Sequence, residues 1–466
     1  MRMKLDEIAR AVDGTLQPAT AATLEVTSVA FDSRKLSAGA LFVPLQGDRD
    51  GHDYLPSAID HGAVAALWAT TRAQSAPADF PVILVADPLT ALQQLAQYYL
   101  AKINPKVVAV TGSNGKTTTK DLIASIVKTS FNVTKTQDNF NNEIGVPITI
   151  LAMNSNTEVL VIEMGMDRPG QLHRLSELVT PDIAVITMIG EAHIEFFGTR
   201  AKIAEAKLEI TDGLQDDGFF VYDGDEPLLA NQQLATNPQR FTFGRQGTND
   251  IYPTTITEGD ESTRFETNRW QDFEFVLPLI GSYNVNNALA ALSVGELLKI
   301  TPAKMREGLA NPALTSNRAE WYEGTQGERI LSDVYNSNPT AVTAVLKAFE
   351  TTKTSGKRIV VLGDMLELGK DAPAMHAELA ADFDPEQIAM VFLVGTNMAH
   401  LFTALMDRYQ PETTLFHYTS TQLPELITTL QQHIAPGDEV LLKGSHGMHL
   451  EKVLHALTTP PTTTID

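Results

Sequence analysis

Apolar positions along the chain fall into short β-branched runs and longer stretches with helical spacing, and their arrangement changes twice. The first hundred residues mix strand-like runs (LFVPL, 41–45; PVILVA, 81–86) with helical ones and end in LTALQQLAQYYLA, where leucines recur at helical spacing. INPK, 103–106, has the composition of a linker. From Lys106 the order becomes β-α-β, with strands predicted at 107–110, 158–163 (EVLVIE) and 183–188 (IAVITM). Continuous apolar strands separated by helices predict a parallel sheet covered on both faces. After about Pro312 a third run begins. Strands predicted at 329–333, 358–362, 390–394 and 439–442 alternate with helices near 340–350, 397–407, 422–433 and 448–457.

The expected fold class is therefore α/β in three domains. These are an N-terminal domain over 1–103, a central parallel-sheet domain of P-loop type over 104–314, and a Rossmann-like doubly wound domain over 315–466. The tail TTPPTTTID, 458–466, has no periodicity and is expected to be disordered; no internal repeat is visible.

Composition narrows the function. A formal net charge of -22 disfavours a nucleic-acid or anionic-membrane binder, because both require a basic face. The absence of cysteine excludes disulfides, thiolate nucleophiles and Cys-based metal sites and fits a reducing compartment. MRMKLDEIARAVDG lacks the apolar core of a signal peptide, and the apolar block AVAALWA from Ala63 falls far short of the roughly 20 residues of a membrane span. A cytoplasmic protein with no membrane insertion is expected.

The stretch VVAVTGSNGKTTTK, 107–120, carries the most specific chemistry. A strand feeding Thr111, Gly112, Ser113, Asn114 and Gly115, then a helix opened by Lys116, Thr117 and Thr118, presents free backbone N–H groups at a positive helix end. Glycines admit a phosphate close to the backbone, Lys116 adds a cation, and Thr117 offers a hydroxyl to Mg²⁺. The general P-loop has four residues between its glycines; this one has two.

Ligands of α/β sheets gather beyond the carboxyl ends of the strands. Glu163, ending EVLVIE, is placed to hold Mg²⁺ or to serve as a turn or helix-cap carboxylate. His193, after IAVITM, is a site residue or a structural histidine. Lys207, in RAKIAEAKLEI, is by sequence physics alone a solvated helix lysine. Asn139, Asn141 and Asn142 in DNFNNEIGVP could bind a sugar, amide or base, or build a plain loop. Asn284 and Asn287 open an Ala/Leu helix, where Asn284 is also a candidate cap. Arg318, Asp333, Tyr335, Asn336 and Pro339 lie where the third region begins and either reach the nucleotide or stabilise a hinge.

In this order the motifs resemble the Mur ligases. The marks are FDSRKLSAGALFVPLQGDRDGHDYL (31–55), TGSNGKTTTK, NFNNEIGVP, VIEMGM, EAHIEFFGTRAKIAEAKLEI, GSYNVNNALAA, DVYNSNPTAV and VLGDMLELG, and they span nearly the whole chain. The last four, with Asn139, Asn141 and Asn142, look like the branch that adds D-alanyl-D-alanine to UDP-N-acetylmuramoyl-tripeptide in peptidoglycan synthesis.

The resemblance implies an ATP-dependent amide ligase. It places Thr111 to Thr118, with Lys116, on the ATP phosphates, and Thr117 and Glu163 by one Mg²⁺. His193 would serve a second Mg²⁺ together with Lys207, which matches the family's lysine that takes up CO₂ as a carbamate. Asn284 and Asn287 would lie by the adenine, and Arg318 and Asp333 would contact the nucleotide from the third domain. Ser33 and Arg34 would hold the uridine-diphosphate end, and residues 315–466 the incoming dipeptide. A monomer is expected.

Two departures stand out: Tyr283 where the family often has His, and His446 where Arg is common. The rivals are another Mur ligase, folylpolyglutamate synthase, or a P-loop ATPase switch. The DSR and GDRDGH segments before residue 60 speak against the synthase, which lacks a domain for a UDP-sugar. The third residue of the tripeptide and the choice between D-Ala-D-Ala and D-Ala-D-lactate are not set by these motifs.

Overall fold

A computed structural model describes residues 1–230, 232–234, 237–316 and 318–459. It contains three predominantly parallel sheets in succession along the chain, each with its own helices. The tail from Pro460, expected to be disordered, lies outside the described residues.

The central sheet has six parallel strands in the spatial order 239–243, 219–223, 183–186, 106–111, 159–163, 133–135. Its side chains alternate between two cores, as the period of a strand requires. Val107, Ala109, Leu160, Ile162, Ala184 and Ile186 face one, and Val108, Val110, Val159, Val161, Ile183 and Val185 the other. The first core is closed by helices Pro88–Ile103, Gly145–Leu151, Gln171–Val179 and Arg200–Leu208; the second by Lys116–Lys128, Tyr283–Leu297 and Pro302–Ala310. Each fully buried Val, Leu or Ile contributes about 1.5–3 kcal/mol, so this two-sided burial fixes the register firmly.

The predicted strands at 107–110, 158–163 and 183–188 form, but the last stops at Ile186. Thr187 and Met188 turn toward the loop after Thr111: Ser113 N–H donates to Met188 O at 2.9 Å. Strands 133–135, 219–223 and 239–243, at or near the sheet edges, went unread. So did an antiparallel sheet of strands Pro253–Glu258, Thr263–Thr267 and Phe275–Leu277, whose first strand has no buried residue and little apolar signal.

The C-terminal sheet runs 320–323, 329–333, 439–443, 358–363, 390–394, 415–418, parallel except for its first strand. Its four predicted strands and four predicted helices all occur, the last helix starting later than expected, at Glu451. In the N-terminal sheet, AVAALWA, weighed above only as a membrane span, is a buried strand between 82–85 and 40–42. Helix Pro88–Ile103 packs this region against helix Gly145–Leu151 of the central one. Among the described residues no helix is long and apolar enough to cross a membrane.

Candidate active site

The chain leaves the central strand 106–111, crosses to the edge strand 133–135, returns to 159–163, and then continues on the opposite side at 183–186. Strands on either side of 106–111 thus lead away in opposite directions, and a crevice opens beyond their carboxyl ends, where α/β sheets bind ligands. A cavity of about 850 Å³ lies there. Ser113 to Thr118, Glu163, His193, Asn284, Asn287, Arg318, Tyr335 and Lys443 all line it, so the central and C-terminal regions share one site.

The floor is the phosphate turn. Gly115 has φ +78° and precedes helix Lys116–Lys128 with no side-chain cap, which leaves the first-turn N–H groups for an anion. A Cβ on Gly115 would collide with Asn287 Oδ1, so glycine is needed for both backbone and space. Lys116 Nζ curls back to donate to Gly112 O at 2.8 Å. Burial, opposed by Glu163 and aided by Arg318, lowers the pKa of this ammonium. An arriving phosphate would supply the counter-charge it lacks.

Glu163 is only 2% exposed. Its Oε2 accepts Thr117 Oγ1 at 2.8 Å and its Oε1 accepts Asn141 Nδ2 at 2.9 Å. A buried carboxylate paired with a hydroxyl beside a phosphate seat is the oxygen-rich, sparse donor set that Mg²⁺ takes when substrate phosphates complete its shell. Asn142 Oδ1 instead accepts Ile144 and Gly145 N–H at 3.1 and 2.9 Å, so it builds the turn into helix Gly145–Leu151 while also lining the cavity. Asn139 is exposed and away from the cavity wall.

His193 stands at φ +64° ahead of the short helix Ile194–Phe197. Its Nδ1 lies 2.6 Å from Glu367 Oε2 of the C-terminal region, a close approach without hydrogen-bond geometry that becomes an ion pair only when the ring is protonated. Burial lowers its pKa, with Glu367 opposing and Lys116 and Lys207 reinforcing. Lys207 does not meet its solvated expectation. It is 2% exposed, and among the described residues no carboxylate is close enough to offset its burial. Burial and then Lys116 push its pKa well down. A neutral amine is thereby favoured, and it does not itself fit a hard cation; a carbamate on the same nitrogen would, by presenting oxygen. Among the described residues no cluster of three or more His, Asp or Glu offers a ready-made metal site.

Asn284 is not a cap. The helix starts at Tyr283, and Asn284 Nδ2 donates to Ile280 O at 2.9 Å while its Oδ1 accepts Asn287 Nδ2 at 3.0 Å. Asn287 Oδ1 in turn accepts Thr119 Oγ1 at 3.2 Å, tying this wall to the phosphate-turn helix. Tyr283 lies in the wall, its phenol pKa raised by burial. From the C-terminal side Arg318 stacks 4.1 Å above the Tyr335 ring with its Nε buried and unpartnered. Lys443 Nζ bonds Asp333 Oδ2 at 2.5 Å and Asn336 O at 3.0 Å.

Several lining residues went unread. Asp223, at the end of strand 219–223, has its carboxyl pushed up to about 6 by burial. Lys443 ends a strand in the same way, so strand-end position was the available signal for both. Ser33 and Arg34 do not line the cavity; Ser33 is buried, and Arg34, 81% exposed at its side chain, holds Asp32 at 2.9 Å. His446 is exposed, edge-on to Tyr335 at 6.1 Å, and also outside the cavity wall.

Family models match this chain in three successive segments: the Mur ligase family catalytic domain over 25–100, the Mur ligase middle domain over 110–295 and the Mur ligase glutamate ligase domain over 317–446. A UDP-N-acetylmuramoyl-tripeptide–D-alanyl-D-alanine ligase of Bacillus subtilis is 40% identical over 462 residues, covering 99% of each chain. The chain belongs to the Mur ligase family. Among solved Mur ligases, MurF from Acinetobacter baumannii superposes with a TM-score of 0.85 at 26% identity, covering 97% of this chain and 98% of its own. The MurF ligase from Thermotoga maritima in complex with ADP gives 0.78 at 29% identity, covering 92% and 97%.

Proposed function

We propose that this Mur ligase joins D-alanyl-D-alanine to the tripeptide end of UDP-N-acetylmuramoyl-tripeptide, consuming ATP and releasing ADP and phosphate, in the synthesis of peptidoglycan precursors. The observation that carries the reading is the meeting, in one cavity, of the phosphate turn, the buried Glu163 and the C-terminal wall, with Lys207 buried near Lys116 but not in the cavity wall. Full-length identity to the Bacillus subtilis ligase supports the choice of substrates over those of other family members.

A carboxylate and an ammonium do not condense usefully in water, so the donor carboxylate must first become an acyl donor. Attack of that carboxylate on the γ-phosphate forms an acyl phosphate and expels ADP. The amine of D-Ala-D-Ala then attacks the carbonyl and expels phosphate. Asn114 to Thr118 cradle the ATP phosphates through backbone N–H groups, while Thr111 ends the strand behind them and the Ser113 N–H is taken by Met188 O, and Lys116 meets the charge that gathers at the β/γ oxygens. Lys207, favoured as the neutral amine, attacks CO₂ and releases a proton to water, giving a carbamate anion that relieves its burial beside Lys116. Thr117 and Glu163 would hold one Mg²⁺, and His193 with that carbamate a second; when bound, the ions neutralise charge on the transferring phosphoryl group.

Asn284 and Asn287 line the base end, and Arg318 and Asp333 approach the nucleotide from the C-terminal side. Asn141 keeps Glu163 oriented, and Asn139 and Asn142 belong to the loop over which the donor peptide passes. Ser33 and Arg34, on the N-terminal region and outside the cavity wall, are assigned to the diphosphate end of an extended donor. Residues 1–103, 104–314 and 315–466 then act as domains for the UDP-sugar, ATP and the dipeptide. A monomer working in the cytoplasm is part of the same proposal.

The test is ADP release measured with each substrate omitted in turn. Release that requires both UDP-N-acetylmuramoyl-tripeptide and D-Ala-D-Ala supports the ligase; release with ATP alone at the full rate would indicate an ATPase switch.

A further inference from the structure

The phosphate turn and the C-terminal region are joined, across 224 residues of sequence, by a reciprocal pair of amides. Asn114 Nδ2 donates to Asn338 Oδ1 at 3.0 Å, and Asn338 Nδ2 donates back to Asn114 Oδ1 at 2.6 Å. Asn338 is buried, and its Oδ1 also accepts Ala341 N–H at 3.0 Å, which caps helix Pro339–Glu350. On the other side the Asn114 carbonyl accepts Thr187 Oγ1 at 2.5 Å. Thr340 Oγ1 to Glu191 Oε2 at 2.7 Å and Glu195 N–H to Glu367 O at 3.1 Å flank the pair.

The cap decides which way the Asn338 amide points. Its oxygen must face Ala341 N–H, so its NH₂ group is set in space before Asn114 arrives. The helix therefore presents one donor and one acceptor at a fixed separation, and only one orientation of Asn114 satisfies both. Losing the pair would leave the NH₂ group of the buried Asn338 without a partner, which is costly and favours the contact whenever the two regions meet. Asn114 sits inside the phosphate turn, between Ser113 and Gly115. Fixing its side chain, with its carbonyl already held by Thr187, fixes the direction of the neighbouring backbone N–H groups.

We propose that Asn338 is a positioning residue for the phosphate turn, acting through Asn114. Supplied by the C-terminal region, it brings the turn into its phosphate-holding shape only while that region is docked. Phosphoryl transfer is thereby tied to the presence of the segment that carries the incoming amine, and an acyl phosphate is not formed where water alone could meet it. This rests on the ligase reading above for its purpose, though not for its geometry.

The experiment compares the full chain with Asn338→Ser, Asn338→Ala, Asn114→Ala and the double variant Asn114→Ala/Asn338→Ser. Serine keeps an oxygen for Ala341 N–H but cannot reach back to Asn114, so it separates clasp from cap. The first readout is affinity for a non-hydrolysable ATP analogue with Mg²⁺, without donor or acceptor. Asn338→Ser should bind it at least fivefold more weakly while melting at the wild-type temperature; Asn338→Ala should weaken binding as much and also melt earlier. The second is turnover: kcat should fall at least tenfold in Asn338→Ser with the KM for the UDP-sugar peptide unchanged. The double variant should be no worse than the poorer single one, because either change already opens the clasp. Wild-type analogue affinity in Asn338→Ser, or losses that multiply in the double variant, would overturn the proposal. Failure of the wild-type chain to make the amide would instead count against the ligase reading, and the binding comparison would still decide the clasp.

Discussion

Lys202 and Lys207 lie on one helix, yet only Lys202 is exposed. The helix buries Ile203, Ala204, Ala206 and Lys207 on one face, so the phase set by its apolar residues carries Lys207 into the core. That phase was present in RAKIAEAKLEI, whereas the surroundings that make the position unusual, Lys116 nearby and, among the described residues, no carboxylate offsetting its burial, come from the fold. A lysine kept there without a counter-charge is tolerable as a neutral amine or as a carbamate. Lys207→Ala should therefore lower kcat at least a hundredfold with little change in melting temperature, and a short carboxylic acid at high concentration should restore part of the activity. Turnover with and without the added acid checks this, and the same acid should do nothing for Lys116→Ala. An unimpaired Lys207→Ala enzyme would remove the carbamate from the account.

At the level of the element, strand 106–111, its turn and helix Lys116–Lys128 were the most legible unit, because every signal there is local: an apolar run, glycines, then Lys-Thr-Thr. What the spacing could not show is why the second glycine is required. Asn287, from a helix far along the sequence, fills the space beside Gly115. Gly115→Ala therefore meets both an unfavourable φ of +78° and a collision, and should cost about 1–3 kcal/mol of stability and most ATP binding. Thermal unfolding with and without nucleotide measures both losses. The helix beginning at Pro339 was equally legible, since Asn before Pro is a strong start signal. The second task of Asn338, reaching Asn114, was hidden because its partner lies in another domain's loop.

The whole molecule is where sequence reasoning reached least far without the family resemblance. Alternating runs give sheets and their helices, but not which faces of the three regions meet. The site depends on that meeting: Glu367 beside His193, Asn338 beside Asn114, Arg318 and Lys443 across from Glu163. The N-terminal residues Ser33 and Arg34 remain outside this cavity. In the proposed mechanism one cavity activates the donor carboxylate by phosphorylation before the amine arrives. The most direct measurement uses UDP-N-acetylmuramoyl-tripeptide with ¹⁸O in its terminal carboxylate, ATP and D-Ala-D-Ala, followed by mass analysis of the released phosphate. Each turnover should transfer one carboxylate oxygen to phosphate, so that the label appears there in step with the amide. Amide formed with unlabelled phosphate would contradict it.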